Sequence, residues 1–221
     1  MSKDLAHKRP WLLASLLFGL TYPLSWQLDL PEFLSIAWKM GGVGMLVGYA
    51  LRKHRTGEFL LVAGVMAFWA LGDGLLQLDM VWGAIAFAVG HCIAIYLFLR
   101  HHRVNPVFSQ KLLAIAVFVL APVIAYFLPT ERAMGIQAAV YTLFVAGMAA
   151  MAWNSNFPRY RVGLGGMAFV ASDLLIFARM GPLAGSVWAD LAVWVFYYGG
   201  VLLIAVGIVT TLLKRGHYSA G

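Results

Sequence analysis

Eight apolar stretches follow one another along the chain, at residues 11–28, 33–51, 57–78, 81–99, 111–128, 133–153, 160–180 and 186–213. At about 1.5 Å per helical residue, each can cross the roughly 30 Å of hydrocarbon in a bilayer. Hydrocarbon offers no water to backbone N–H and C=O groups, so long continuous apolar runs of this kind specify helices, which satisfy those groups internally. The connections are short, so successive helices are antiparallel and no soluble domain fits between them. Of 221 residues only 11% are charged and 62% are hydrophobic, whereas soluble chains carry about 25% charged residues. The predicted fold is all-α, a single eight-helix transmembrane domain over residues 1–221, integral and multi-pass. The first stretch begins like a signal peptide, but no small-residue cleavage site precedes Pro23, and it reads as a retained span.

The net charge of +7 does not point to nucleic acid. Its basic residues lie in short clusters between apolar runs, the pattern that sets membrane topology. Lys3, Lys8, Arg9, Arg52, Lys53, Arg55, Arg100, Arg103, Lys111, Arg159, Arg161, Lys214 and Arg215 all fall at one face of an antiparallel series. The other face holds Asp29, Glu32, Asp79, Glu131, Arg132 and Arg179. By the positive-inside rule both termini are expected in the cytoplasm, in a bacterial inner membrane. A lone cysteine, Cys92, excludes an internal disulfide.

Against this apolar background, polar groups inside the spans carry the information. Asp73 sits in AFWALGDGLLQLD of the third stretch, and Asp173 in GMAFVASDLLIFARM of the seventh. A charge at the centre of a membrane helix costs roughly 2.5–3.5 kcal/mol on insertion scales, so it is seldom there without a partner or a task. The recurrence of the phrase in the third helix of each successive four predicts a parallel four-plus-four duplication. Lys39, the one basic residue expected well inside a span, and His91 fall at similar depth, as do Tyr141, Tyr197 and Tyr198. Ser172 stands beside Asp173. A shared depth suggests one cavity.

Two readings of these residues stay open. In one, the aspartates are structural, neutralised by Lys39 or hydrogen-bonded by Ser172 or a tyrosine. In the other, a carboxylate beside Lys39 stays ionised while the second keeps its proton, giving one base and one acid. Such a pair serves hydrolysis or proton-coupled carriage equally. Lys39 reads as counter-ion or as a point charge for phosphate, and His91 as a packing residue or a proton shuttle. No metal site is expected, because His91 is the only histidine within a span, and no cofactor motif or serine nucleophile with a base is present. The glycine runs at 41–44 and 163–166 are expected to let helices pack closely.

The eight spans, Lys39, FWALGDGLL around Asp73, GHCIAIY around His91 and Tyr96, and MAFVASDLLI around Asp173 together resemble the YhhN family of lysoplasmalogenases. The resemblance implies hydrolysis of the vinyl ether bond of a lysophospholipid, with no cofactor and no protein partner beyond substrate and lipid bilayer. The residues fit that chemistry, with Asp73 and Asp173 expected as the catalytic pair and Lys39, His91, Tyr141, Tyr197, Tyr198 and Ser172 as groups that touch substrate or brace the carboxylates. One departure is visible. Where the family leads one to expect a tyrosine followed by glutamine, Tyr197 and Tyr198 are followed by Gly199 and Gly200.

Overall fold

A computed structural model describes residues 3–52 and 56–216. Lys53, His54, Arg55 and His217 lie outside the described residues. The chain forms eight α-helices: α1 (Lys3–Thr21), α2 (Glu32–Leu51), α3 (Gly57–Leu78), α4 (Met80–Arg100), α5 (Phe108–Phe127), α6 (Arg132–Asn154), α7 (Leu164–Ala178) and α8 (Val187–Arg215). Among the described residues there is no strand, only an isolated bridge between His102 and Ser155. Seven helices are long and apolar enough to cross a membrane, α7 being counted with the π-helical turn Arg159–Gly163 that leads into it.

The exception, by length and composition over the whole helix, is α1. The helix begins at Lys3, so it takes in the charged residues Lys3, Asp4, Lys8 and Arg9 ahead of the apolar stretch that starts at Trp11. At the other end the α-helix stops at Thr21, and a 3-10 helix (Tyr22–Gln27) follows, with Pro23 in its first turn where a missing N–H costs nothing. The expected stretch 11–28 is therefore half of one helix and all of another. Elsewhere the observed ends differ from the expected ones by a few residues. The turn between α3 and α4 is a single residue, Asp79, whose Oδ1 accepts from the N–H groups of Val81 and Trp82 at 2.8 and 3.0 Å. A loop charge in the sequence is thus the cap of α4.

Residue contacts divide the chain into two compact units. The first holds α1, α2, α3, α4 as far as Leu97, and α8 from Ala205 onward. Here α2 packs against α1 and α3. The expected role of the 41–44 run holds. A side chain at Gly41 would strike the Phe18 ring, and Gly42 accepts a hydrogen bond from Ser15 Oγ at 2.5 Å. One element was misassigned from sequence. Lys8, expected among the solvated loop charges, is fully buried, and its Nζ donates to the carbonyls of Tyr49 and Ala50 at 2.9 and 2.8 Å. It thereby satisfies the last carbonyls of α2 and meets the negative end of that helix dipole, with the Phe59 ring 5.1 Å away.

The second unit holds the end of α4 from Phe98, then α5, α6, α7 and α8 up to Ile204. Its helix α6 turns small residues inward, Ala138, Ala146, Ala149 and Ala152 all being buried, while Ile136, Val140 and Leu143 stay exposed. Inward-turned small residues, here beside the buried Val145 and Met148, suit helices that associate through close packing in lipid. The glycines of α7 serve two neighbours. A Cβ on Gly166 would lie 3.0 Å from the Ala149 Cα of α6, and one on Gly165 would lie 2.7 Å from the Gly200 carbonyl oxygen of α8.

The approach is mutual, since a Cβ on Gly200 would lie 2.7 Å from the Gly165 oxygen, while one on Gly199 meets nothing within 4 Å. Gly200→Ala and Gly165→Ala are therefore expected to cost about 1–3 kcal/mol through overpacking. Gly199→Ala, free of any clash, should gain up to about 1 kcal/mol from helix propensity. Thermal unfolding in detergent micelles orders the three variants. Lys8→Met, which strands two buried carbonyls, is expected to cost about 2–3 kcal/mol in the same measurement.

Candidate functional site

In the first unit, α2 and α3 bring Lys39 to Asp73. The ammonium stands 3.5 Å from Asp73 Oδ1, the carboxylate side chain 2% exposed and the lysine 13%. The pairing follows from the local sequence. Asp73 lies between Gly72 and Gly74, and a side chain at either would collide, at Gly72 with the Phe87 ring of α4 and at Gly74 with Met40 of α2. The missing side chains let α2 and α4 close on the segment of α3 that carries the acid. Met40 follows Lys39 directly, so the same approach delivers the cation.

One turn before Asp73, on the same face of α3, Trp69 is fully buried. Its ring lies 5.5 Å from the imidazole of His91, which is also fully buried and stacks on Phe87 at 6.4 Å. Gly90 makes this possible, because a side chain there would meet the Trp69 indole. His91 is thus seated in an aromatic wall built by α3 and α4. Tyr96, one of the residues carrying the resemblance, is 52% exposed.

In the second unit, Asp173 of α7 is 4% exposed, and its Oδ2 accepts from the hydroxyl of Tyr141 of α6 at 2.9 Å. Phe177, one turn further along α7, meets the Tyr141 ring edge-on at 6.2 Å and fixes its direction. Ser172 is fully buried but donates elsewhere, to the Val193 carbonyl of α8 at 2.9 Å, so it ties α7 to α8. Tyr197 and Tyr198 are both buried around Trp194. Tyr198 is stacked flat on the indole at 5.6 Å, and Tyr197 lies between the indole at 5.7 Å and Phe169 at 5.1 Å.

The two aspartates therefore differ in surroundings, Asp73 meeting an ammonium and Asp173 a neutral hydroxyl. Sequence reasoning named both partners, Lys39 for one and a tyrosine for the other. It missed Trp69, Phe87 and Trp194, the rings against which His91, Tyr197 and Tyr198 rest. Trp69 could have been found, standing four residues before Asp73 inside the phrase already singled out. Among the described residues no group of three or more His, Cys, Asp or Glu could hold a metal ion. Packing bears on the missing glutamine at only one of the two glycines. Gly200 is held to glycine by the α7 backbone, whereas Gly199 has open space beside it.

Residues 34–208 match the model of the YhhN family. No curated protein and no solved structure matches the chain.

The ion pair of α2 and α3 is open to direct measurement. Removing one member of a buried pair leaves an uncompensated charge, so Lys39→Met should cost about 3–5 kcal/mol. The double variant Lys39→Met/Asp73→Asn should recover most of that loss. A thermal-unfolding double-mutant cycle in micelles gives the coupling.

Proposed function

The chain belongs to the YhhN family, the lysoplasmalogenase family, and from that premise we propose that it hydrolyses the vinyl ether bond of a lysoplasmalogen. The products are a fatty aldehyde and glycerophosphoethanolamine or glycerophosphocholine. What carries the reading beyond the family is the contrast between two buried carboxyl groups, one facing Lys39 and one facing Tyr141. Protonation of the vinyl ether β-carbon leaves an oxocarbenium ion at the α-carbon. Water adds there and loses a proton to base, and the resulting hemiacetal collapses to aldehyde and alcohol. The step needs one proton donor and one anion that steadies a cation and takes a proton from water, the division of labour found in glycoside hydrolysis.

Asp173, with a neutral hydroxyl on Oδ2, is assigned as the acid, and Asp73, with Lys39 beside it, as the base. Tyr141 orients the acid, and Lys39 holds the base ionised. His91, Tyr197 and Tyr198 rest against rings, and in this reading they brace the site as further donors beside the two carboxyl groups. Ser172 braces α7 on α8. The basic loops set both termini on the cytoplasmic side of a bacterial inner membrane in this reading.

The rival use of the same aspartates, proton-coupled carriage, favours broken helices at the acids. Both acids instead sit within continuous α-helical segments that contain no proline. The deciding experiment is product analysis by mass spectrometry in detergent micelles, across lysoplasmenylethanolamine, lysoplasmenylcholine and their alkyl ether and acyl counterparts. An enzyme releases aldehyde from the vinyl ethers there, whereas a carrier has no second compartment and releases none. Asp73→Asn and Asp173→Asn should each reduce aldehyde release by about 10²–10⁴-fold. Tyr141→Phe, which leaves both carboxyl groups in place, should reduce it by about tenfold through loss of one orienting bond. Near-wild-type rates in either Asn variant would sink the mechanism.

A further inference from the structure

A second cluster of charge lies in the second unit, far along α7 from Asp173. The loop after α4 and the loop after α6 are laced together by backbone bonds. His102 forms an isolated antiparallel bridge with Ser155, Arg103 N–H donates to the Asn154 oxygen at 3.1 Å, and Asn156 N–H to the His101 oxygen at 2.7 Å. The Asn156 amide adds a bond to the His102 carbonyl at 2.7 Å. This lacing presents two arginines to the carboxyl end of α6. Arg103 donates to the Ser155 oxygen through Nε and Nη2 at 3.4 and 3.1 Å, and Arg159 donates from Nε to the Trp153 oxygen at 3.4 Å, its Cζ lying 5.5 Å over the Trp153 ring.

Capping α6 accounts for part of this arrangement, since arginines suit the negative end of a helix. It leaves a surplus. A guanidinium carries five donors, and Arg159 Nη2 is buried with no hydrogen-bond partner, as is Trp153 Nε1. Arg103 is close enough for the two positive charges to act on each other, and neither arginine forms an ion pair among the described residues. A buried guanidinium donor on Arg159 and a buried indole donor on Trp153, beside a second positive charge on Arg103, make a place that suits an anionic oxygen.

We propose that Arg103 and Arg159, walled by Trp153 where the loops after α4 and α6 are laced together, bind a phosphate group, either that of an anionic phospholipid or free inorganic phosphate. The site is independent of the hydrolysis assigned above. Arg159 precedes Asp173 by fourteen residues of continuous helix, about 20 Å. The phosphate and vinyl ether of a lysolipid are separated only by a glycerol unit, so a substrate reacting at Asp173 cannot place its own phosphate here.

The test is isothermal titration of the full chain in phosphate-free detergent, once with inorganic phosphate and once with dihexanoyl phosphatidylglycerol. The wild type binds at least one probe. Binding of the lipid alone marks a lipid site, and binding of phosphate, with or without the lipid, marks a general phosphate site. Arg159→Gln and Arg103→Gln each weaken binding by about tenfold or more, the loss of charge-assisted bonds. Because both arginines also cap α6, Arg159→Lys serves where a glutamine variant fails to fold, keeping the charge and losing the planar fork, with several-fold weaker binding at an unchanged melting temperature. No binding of either probe by the wild type overturns the proposal. So does an affinity that changes by less than about twofold in the folded Arg159 variants.

Discussion

A polar or ionised group in hydrocarbon must find its compensation within the protein, and this requirement organises much of the molecule. Asp73 is met by Lys39, which needs α2 and α3 side by side, and the close approach there needs Gly72 and Gly74 without side chains. Asp173 is met by Tyr141, which needs α6 beside α7, and Gly166 and Ala149 permit that contact. Small residues and polar residues are therefore two halves of one solution. The glycines bring backbones near enough for short polar bonds, and the bonds offset the cost of the polar groups. Hydrophobic burial does less here, since Leu13, Leu17 and Leu20 along α1 are left exposed, as lipid allows.

Much of this was legible in the sequence because the membrane makes the code simple. Apolar runs gave the helices in number and order, and the only lysine expected deep in a span turned out to pair with the buried aspartate expected near it. The glycine runs likewise proved to be contact points. What could not be read were matters settled by tertiary neighbours. Ser172 was an obvious candidate to hold Asp173, its chain neighbour, but consecutive residues on a helix point about 100° apart, and its hydroxyl turns to Val193 instead. Tyr141 reaches the carboxylate from another helix, which no local pattern announces. Nor does periodicity reveal that His91 rests between Trp69 and Phe87.

The ends of helices were the least legible. The positive-inside rule counts Lys8 and Arg159 as loop charges and asks nothing more of them. In the fold each sits at the carboxyl end of a neighbouring helix, Lys8 on α2 and Arg159 on α6, and gives N–H donors to carbonyls of that helix's last turn. Asp79 does the converse for the amino end of α4. Charges that a topology count treats as interchangeable are in fact assigned to particular helix ends, which is a constraint on sequence that hydropathy does not express.

Lys8 also imposes an order on biogenesis. Its acceptors, the carbonyls of Tyr49 and Ala50, follow it by 41 and 42 residues. During synthesis the ammonium has nowhere to go until α2 has been made to its last turn, and until then it remains a solvated charge that holds the first segment at the membrane surface. Only then can it move from water to the end of α2, drawing α1 into place as Ser15 reaches Gly42. The α1–α2 hairpin can therefore close only once α2 is complete, and the residue that closes it first acts as an anchor and afterwards as a latch.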